Sequence, residues 1–400
     1  MDSTRSFQLP GIQDLNKEQE DVMALPSNGQ YLVVGGPGTG KSVVALLRAR
    51  KLRREKIQYV FLVYNHLLDE SGSQLYPDLI STTWIKWFKK WFKNITKQDC
   101  PLSAPLKQGG FRDIDWIKVD EIASVFQDSH SDHESLALPH LIIDEGQDMP
   151  PQFYQALCDL GFEHFFIVAD QNQQIIANQN SSRRDIETYL ALESEQIIEL
   201  HENFRNTLPT ARLAQSYCPH DPASPKPQLP DHRPSVFTPI LFQYSSDQFL
   251  RLIRRIIVIL NRDPRRLIGI ITPNNAIREK YIAALESAQH NQDPTKANIQ
   301  TYYSGSTEKL RFDKGGIMVI NVQSCKGLEF DDVFLADTEE HQHDHNTANL
   351  TQSRFYVMVS RARKKIILLR SKSDHKPIDD IHPKDPLILK HYPNNNHEAL

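Results

Sequence analysis

The 400-residue sequence contains no apolar run approaching the roughly 20 residues that cross a bilayer. Its first residues, Met1-Asp2-Ser3-Thr4-Arg5, lack the apolar core of a signal peptide. A membrane-spanning chain is excluded on this reading, and a cytoplasmic location is expected. Cysteine is scarce. The four, Cys100, Cys158, Cys218 and Cys325, lie far apart with no paired spacing, which excludes a zinc ribbon or a disulfide framework and fits a reduced compartment. Neither sign of charge dominates: 46 Lys and Arg face 50 Asp and Glu, so the chain is not coated in positive charge, although a local basic groove remains open to it. No internal repeat is apparent. A hydrophobic content of 39% is nevertheless enough for two or three domains with real cores, which rules out a fibre or a disordered tail.

Against that background, residues 35 to 42 read Gly35-Gly36-Pro37-Gly38-Thr39-Gly40-Lys41-Ser42. They follow the apolar run Tyr31–Val34 and open a helix-compatible stretch from Val43 to Arg54. This is a complete phosphate-binding loop in the strand-loop-helix setting it requires. Glycines let successive N–H groups close around phosphates, Lys41 reaches the β and γ oxygens, and the Ser42 hydroxyl can ligate Mg²⁺. ATP and Mg²⁺ are the expected ligands.

Short β-branched and aromatic runs at Tyr59–Tyr64, His140–Ile143 and His164–Ala169 look like further buried parallel strands. With intervening helical stretches they predict a doubly wound α/β sheet whose ligand sits at the carboxyl ends of the strands. Six prolines between Tyr217 and Ser235 mark a stiff connector. Beyond it the pattern resumes, with helices over Gln248–Leu260 and Asn275–Ser287 and strands at Leu267–Thr272, Ile317–Val322, Val333–Ala336 and Ile366–Leu369. The expected organisation is a first domain over 1–205, a helix and Pro-rich connector over 206–235, a second domain over 236–370, and a loosely packed polar tail over 371–400.

The strand ending at Ile143 runs into Asp144-Glu145-Gly146-Gln147-Asp148. Asp144 is placed to hold Mg²⁺, directly or through water, and Glu145 is the natural general base for an attacking water.

In order along nearly the whole chain, these and later motifs resemble superfamily 1 helicases of the UvrD/Rep/PcrA-like group. Leu15-Asn-Lys-Glu-Gln19 resembles the family's N-terminal glutamine motif, which implies that Gln19 reads adenine. Asp144 to Asp148 is similar to its Asp-Glu-Ala-Gln-Asp, implying that Gln147 couples nucleotide state to nucleic acid. Asp170–Ile175 resembles the third motif, with Gln173 as γ-phosphate sensor. Glu202–Asn206 resembles the fourth, with Phe204 stacking on adenine and Arg205 reaching the γ-phosphate. Gln323–Phe330 is similar to the fifth, where Gly327 and Glu329 approach the nucleotide. Phe355–Arg363 resembles the sixth, with Arg361 as an arginine finger. The resemblance implies two RecA-like P-loop NTPase domains with parallel sheets, closing on ATP while single-stranded DNA, rather than RNA, crosses their upper face from 3′ to 5′. An arginine supplied by a second domain makes hydrolysis depend on closure.

For the nucleic acid, the resemblance points to Asn65 and His66, to Thr82, Thr83 and Trp84, and to Asn321 and Gln323, which stand where the family has threonine and histidine. Trp84–Lys93 carries aromatics at helical spacing with lysines between, read first as a core helix with a basic outer face and second as a stacking surface. Three alternating histidines at His341, His343 and His345 are read as an exposed loop rather than a metal site. Ile176, Ala177 and Asn178 follow the third motif where the family presents stacking aromatics, and the spacings leave little room for the family's large inserts. A second reading therefore stands beside the motor: an ATP-gated, nucleic-acid-binding or regulatory subunit with a protein partner such as a nuclease, in repair or defence against phage. An RNA-directed motor is the third.

Overall fold

The computed structural model describes residues 12–76, 79–103, 112–130, 138–174, 180–219, 221–222, 224–290, 298–303, 309–343, 348–371 and 374–392. Ile176–Asn178, Asp344, His345 and the end of the polar tail lie outside them. Two wholly parallel sheets organise the chain. The first comprises β1 (Gln30–Gly35), β2 (Tyr59–Val63), β3 (Ser81–Thr83), β4 (His140–Ile143), β5 (Phe165–Ala169) and β6 (Ile197–Leu200), in the order β3-β2-β4-β5-β1-β6. Its helices are α1 (Lys17–Ala24), α2 (Lys41–Arg54), α3 (His66–Leu75), α4 (Trp84–Thr96), α5 (Trp116–His130), α6 (Pro151–Asp159) and α7 (Arg183–Tyr189). After α8 (Leu208–Ser216) come β7 (Ile240–Gln243), α9 (Phe249–Arg262), β8 (Leu267–Thr272), α10 (Asn275–His290), β9 (Ile299–Thr301), β10 (Gly316–Asn321), β11 (Phe330–Leu335), α11 (Ala348–Ser360), β12 (Ala362–Arg370) and β13 (Lys390–Tyr392). The second sheet runs β13-β7-β12-β11-β8-β10-β9. These are the two parallel α/β domains expected, an arrangement consistent with RecA-like domains.

The strands read as continuous apolar runs because helices cover both faces. Alternate residues go to opposite cores. Leu32, Val34, Leu62, Leu141, Ile143 and Ile167 pack with Phe88 and Phe92 of α4 and with α5 and α6. Val33, Phe61, Val63, Ile142, Phe166 and Val168 pack with Val44, Ala45, Ala49 and Leu52 of α2. In the second sheet Ile268, Ile270, Ile317, Val319 and Phe334 meet Ile253, Ile256 and Tyr281 of α9 and α10, while Ile271, Met318, Ile320, Val333 and Leu335 meet α8 and α11. That last core also takes in Leu67 of α3, so the two sheets share apolar contact.

One sequence expectation is met here and two are adjusted. The α4 aromatics form the inner stripe anticipated for a core helix: Phe88 and Phe92 are fully buried, Trp87 and Trp91 stack at 5.7 Å over Phe162, and Lys86, Lys90 and Lys93 face outwards. The tail is not loose as far as Tyr392, because Ile378 and Leu389 enter the second core and β13 adds an edge strand beside β7. Two buried apolar residues in a polar segment are too sparse to show as a period. The helix of the connector, α8, packs with α11, and its Tyr217 hydroxyl meets His382 Nδ1 at 2.8 Å, so it belongs to the second core.

Phe88→Ala should cost about 3–5 kcal/mol, because the fully buried ring leaves a cavity between α4 and α6 that the surrounding aromatics cannot fill. Urea unfolding monitored by tryptophan fluorescence checks this; an unchanged midpoint would remove α4 from the core.

Candidate nucleotide site at the domain seam

The chain leaves β1 for β2 across two strand positions that β4 and β5 fill later, so the loops after β1, β4 and β5 converge at one carboxyl edge. The first is the phosphate loop. Gly38 and Gly40 have φ of +80° and +90°, and a Cβ there would lie 2.3 Å from Asn203 Oδ1 and 2.4 Å from Gln19 Nε2. Both turns therefore need glycine twice over, for conformation and for room. Gln19 is set by a capping box with Asn16 at the start of α1, and its Nε2 donates to Thr39 O at 3.1 Å. Phe204 N donates to Gly38 O at 2.8 Å, which seats the fourth motif on the loop. The Phe204 ring lies 5.6 Å from the ring of His232. Lys41 donates to Gly35 O and Gly36 O, both at 2.8 Å, and stands 3.6 Å from Asp170. Burial pulls its pKa down while Asp170 and Glu145 oppose the shift.

Asp144 and Glu145 follow β4, and both are buried. Burial, then the neighbouring Glu145, push Asp144 up to about 6, and the Ser42 hydroxyl bonds to it. Two hard oxygen donors beside surplus buried negative charge suit Mg²⁺, which takes few protein ligands and leaves its other positions to phosphate and water. Ser42 and Asp144 thus fit that ion. Glu145 sits at φ +56°, in the left-handed region that residues other than glycine seldom adopt. Burial raises its pKa, but Lys326, Lys41 and Arg361 outweigh that and hold it below the ordinary carboxylate range.

From Glu145 an unbroken hydrogen-bonded line crosses to the second domain. Gln147 Nε2 donates to Glu145 Oε2 at 2.6 Å, and Asp170 N donates to Gln147 Oε1 at 2.9 Å. Gln173 Nε2 donates to Asp170 Oδ2 at 2.7 Å, and Arg361 Nη2 donates to Gln173 Oε1 at 2.7 Å. Arg205 closes the same cleft by donating its Nε to Glu329 Oε1 at 2.8 Å. Gly327 lies against Leu68 of α3. A cavity of about 200 Å³ beside these groups is lined by Ser42, Asp144, Arg205, Gly327, Glu329 and Arg363 among others.

A second cavity, of about 160 Å³, is lined by residues of both domains and brings Asn65 and Gln323 together with Tyr64, Asp148, Tyr302 and Lys326. The Asn65 side chain also caps α3, accepting from Leu68 N at 2.9 Å, and His66 is exposed. Asn321 lies further along the edge, donating to Asn275 Oδ1 at 2.7 Å. Thr82, Thr83 and Trp84 are not in this cavity: Thr83 is buried on β3, and Trp84 stacks on Trp116 and meets Phe153 edge-on at 5.1 Å. Among the described residues no cluster of His, Cys, Asp and Glu could hold a metal, and His341 is buried against Phe355.

The family model of the UvrD-like helicase C-terminal domain matches residues 316–369, which span β10 to β12 and carry Gly327, Glu329 and Arg361. This part of the second sheet is similar to a UvrD-like helicase C-terminal domain. That match and the order of the motifs support a UvrD-like superfamily 1 helicase. Among solved structures, the chain is similar to the C-terminal domain of a possible DNA helicase from Lactobacillus plantarum WCFS1, at 15% identity and a TM-score of 0.33 over 47% of this chain and 98% of that one. Comparison with curated proteins finds no match.

Lys326 is the residue whose role motif reading missed. Its ammonium lies in the seam between the two domains, donating to Asp148 Oδ1 at 2.6 Å and to Gln173 O at 2.5 Å. Only its place inside the fifth motif hinted at this. Burial pushes Asp148 up to about 7 despite that partner. A carboxyl whose folded pKa exceeds its unfolded value of 3.8 binds its proton more tightly in the folded chain. Its contribution is therefore most favourable at low pH and is lost as pH rises from about 4 through 7. The stability difference between the wild type and Asp148→Asn should follow that fall, measured by urea midpoints across the window; a flat difference rejects it.

Proposed function

We propose that this UvrD-like chain is an ATP-dependent translocase on single-stranded nucleic acid, with DNA as the preferred track and 3′ to 5′ as the direction. The hydrogen-bonded line from Glu145 through Gln173 to Arg361 carries the reading, because it joins a general base in one domain to a cation in the other. The loop amides and Lys41 hold the β and γ phosphates. Mg²⁺, when bound, neutralises charge on those oxygens, and Ser42 and Asp144 would hold it. Glu145, kept ionised by the surrounding cations, orients the attacking water and accepts its proton. Arg205 and Arg361 offer donors to the charge that develops on the transferred group, and Gln173 reports its presence to Lys326 and the seam. Gln19 and Phe204 are the candidates for adenine, and Glu329 for the sugar side of the cleft.

Nucleic acid is assigned to the second cavity and its rim, where Asn65, Gln323 and Asn321 supply amides for the backbone. Hydrolysis then moves the two rims relative to one another. The compactness of the second domain, whose described elements follow one another from β8 to β12 without an inserted subdomain, favours one further reading: a gated binding subunit that needs a partner, such as a nuclease, to unwind.

Steady-state ATP hydrolysis should rise on adding single-stranded DNA and fall to background in Lys41→Ala and Glu145→Gln. Arg361→Ala should lose roughly 10³-fold or more in kcat. Stimulated turnover that survives Glu145→Gln or Arg361→Ala would overturn these roles. Robust unwinding of a tailed duplex by the chain alone would set aside the partner-dependent reading.

A further inference from the structure

Beyond β9 the chain leaves the second sheet through two tyrosines. Successive side chains of an extended segment point to opposite sides. Tyr302 lines the seam cavity with Asn65, Asp148 and Gln323, while Tyr303 is 47% exposed. Behind the Tyr303 ring stands Arg278 of α10, its guanidinium carbon 4.8 Å from the ring centroid. Arg278 is itself only 6% exposed. Its Nη1 donates to Thr301 Oγ1 at 3.0 Å, and Thr301 Oγ1 donates in turn to Val319 O on β10 at 2.9 Å. Nη2 reaches Glu279 at 3.5 Å, and Nε is buried without a hydrogen-bond partner among the described residues.

The ring is thus braced from within by a cation that the sheet itself fixes. A tyrosine serving only to pack would bury its ring, as Tyr281 does on the same helix. The neighbouring surface is polar in a particular way. Asn321, at the end of β10, accepts from Thr272 Oγ1 at 2.8 Å and donates to Asn275, the first residue of the helix that carries Arg278. An exposed aromatic ring backed by a buried guanidinium therefore shares one edge with the Asn321 and Asn275 amides, one residue along the chain from the seam cavity. Single strands are gripped by that combination, since every base has a π-face and every linkage a phosphate.

We propose that Tyr303, braced by Arg278, is a stacking platform for an unpaired base of single-stranded nucleic acid where the strand leaves the seam cavity over the second domain. It rests on the nucleic-acid reading given above.

Fluorescence anisotropy of a labelled single-stranded 20-mer should show Tyr303→Leu binding about five- to tenfold more weakly, with Tyr303→Trp close to wild type. The salt dependence of Tyr303→Leu should match the wild type, because stacking releases no counterions. Thermal midpoints of the variants separate a binding defect from misfolding. A 5-iodouracil oligomer irradiated with the wild-type chain should cross-link to the peptide containing Tyr303. An unchanged affinity for Tyr303→Leu, or cross-links mapping only elsewhere, overturns the platform and leaves the nucleic-acid reading standing. Failure of the wild-type chain to bind any single strand overturns both.

Discussion

Gln173 is held at both ends by the second domain, its side-chain oxygen by Arg361 and its main-chain oxygen by Lys326, and the rest of the site depends on that grip. In the first domain the same residue bonds Asp170, which is tied through Gln147 to Glu145. One glutamine thus stands between the group that would take a proton from water and the two cations of the partner sheet. Displacing either cation leaves a buried polar group unpaired on each side of the seam, at a cost of about 1–3 kcal/mol or more where charge is involved. The seam therefore favours two distinct states, joined or parted, over a continuum.

The charges around that glutamine constrain one another further. Lys41, Asp144, Glu145, Asp148, Lys326 and Arg361 are all buried, and they come from both domains. Each would be costly alone in a low dielectric. Asp144 and Asp148 are pushed up by burial, whereas Glu145, between them in sequence, is held down because three cations face it. Neighbouring carboxylates with opposite shifts suit a division of labour, one binding a cation and one accepting a proton. Leu67, reaching from α3 into the second apolar core, supplies a hydrophobic contact that helps hold this charged seam together.

Much of this was legible in the sequence because the site is built from loops whose chemistry is local. The glycines at 38 and 40 and the acidic pair after β4 stand out by local spacing, as do the strands, where apolar runs alternate between two cores, whereas Arg361 before β12 was singled out only by resemblance to the sixth motif. Roles that arise only on folding were not legible. Lys326 and Asp148 lie 178 positions apart and gain meaning from a 2.6 Å contact. That Trp84 packs against Trp116 and Phe153 was likewise not legible from its place beside the threonines of β3. The short edge strands β3, β9 and β13 carry too few residues for a period, and the packing of 374–392 hangs on a few apolar side chains.

The connector adds a constraint that neither sheet carries. From Arg205 the chain passes at once into the second domain, where Asn206 Nδ2 donates to Ser360 O and Ala362 O and α8 joins the second core. It then returns to the first: Asp221 N donates to Asn172 Oδ1, Ser224 bonds Asp170, and Pro227 presses on Gly36 closely enough that a Cβ there would fall 1.9 Å from its ring. Only afterwards does it cross again to β7. Three passages between the domains, the last two through a proline-rich stretch, limit how far the sheets can separate. They also tie any movement of α8 to the phosphate loop through the Gln215 to Pro227 hydrogen bond at 2.7 Å. A domain displacement large enough to part Arg361 from Gln173 must therefore either bend this strap or shift the loop beneath it, so the nucleotide end of the seam cannot open independently of the polypeptide that joins the domains.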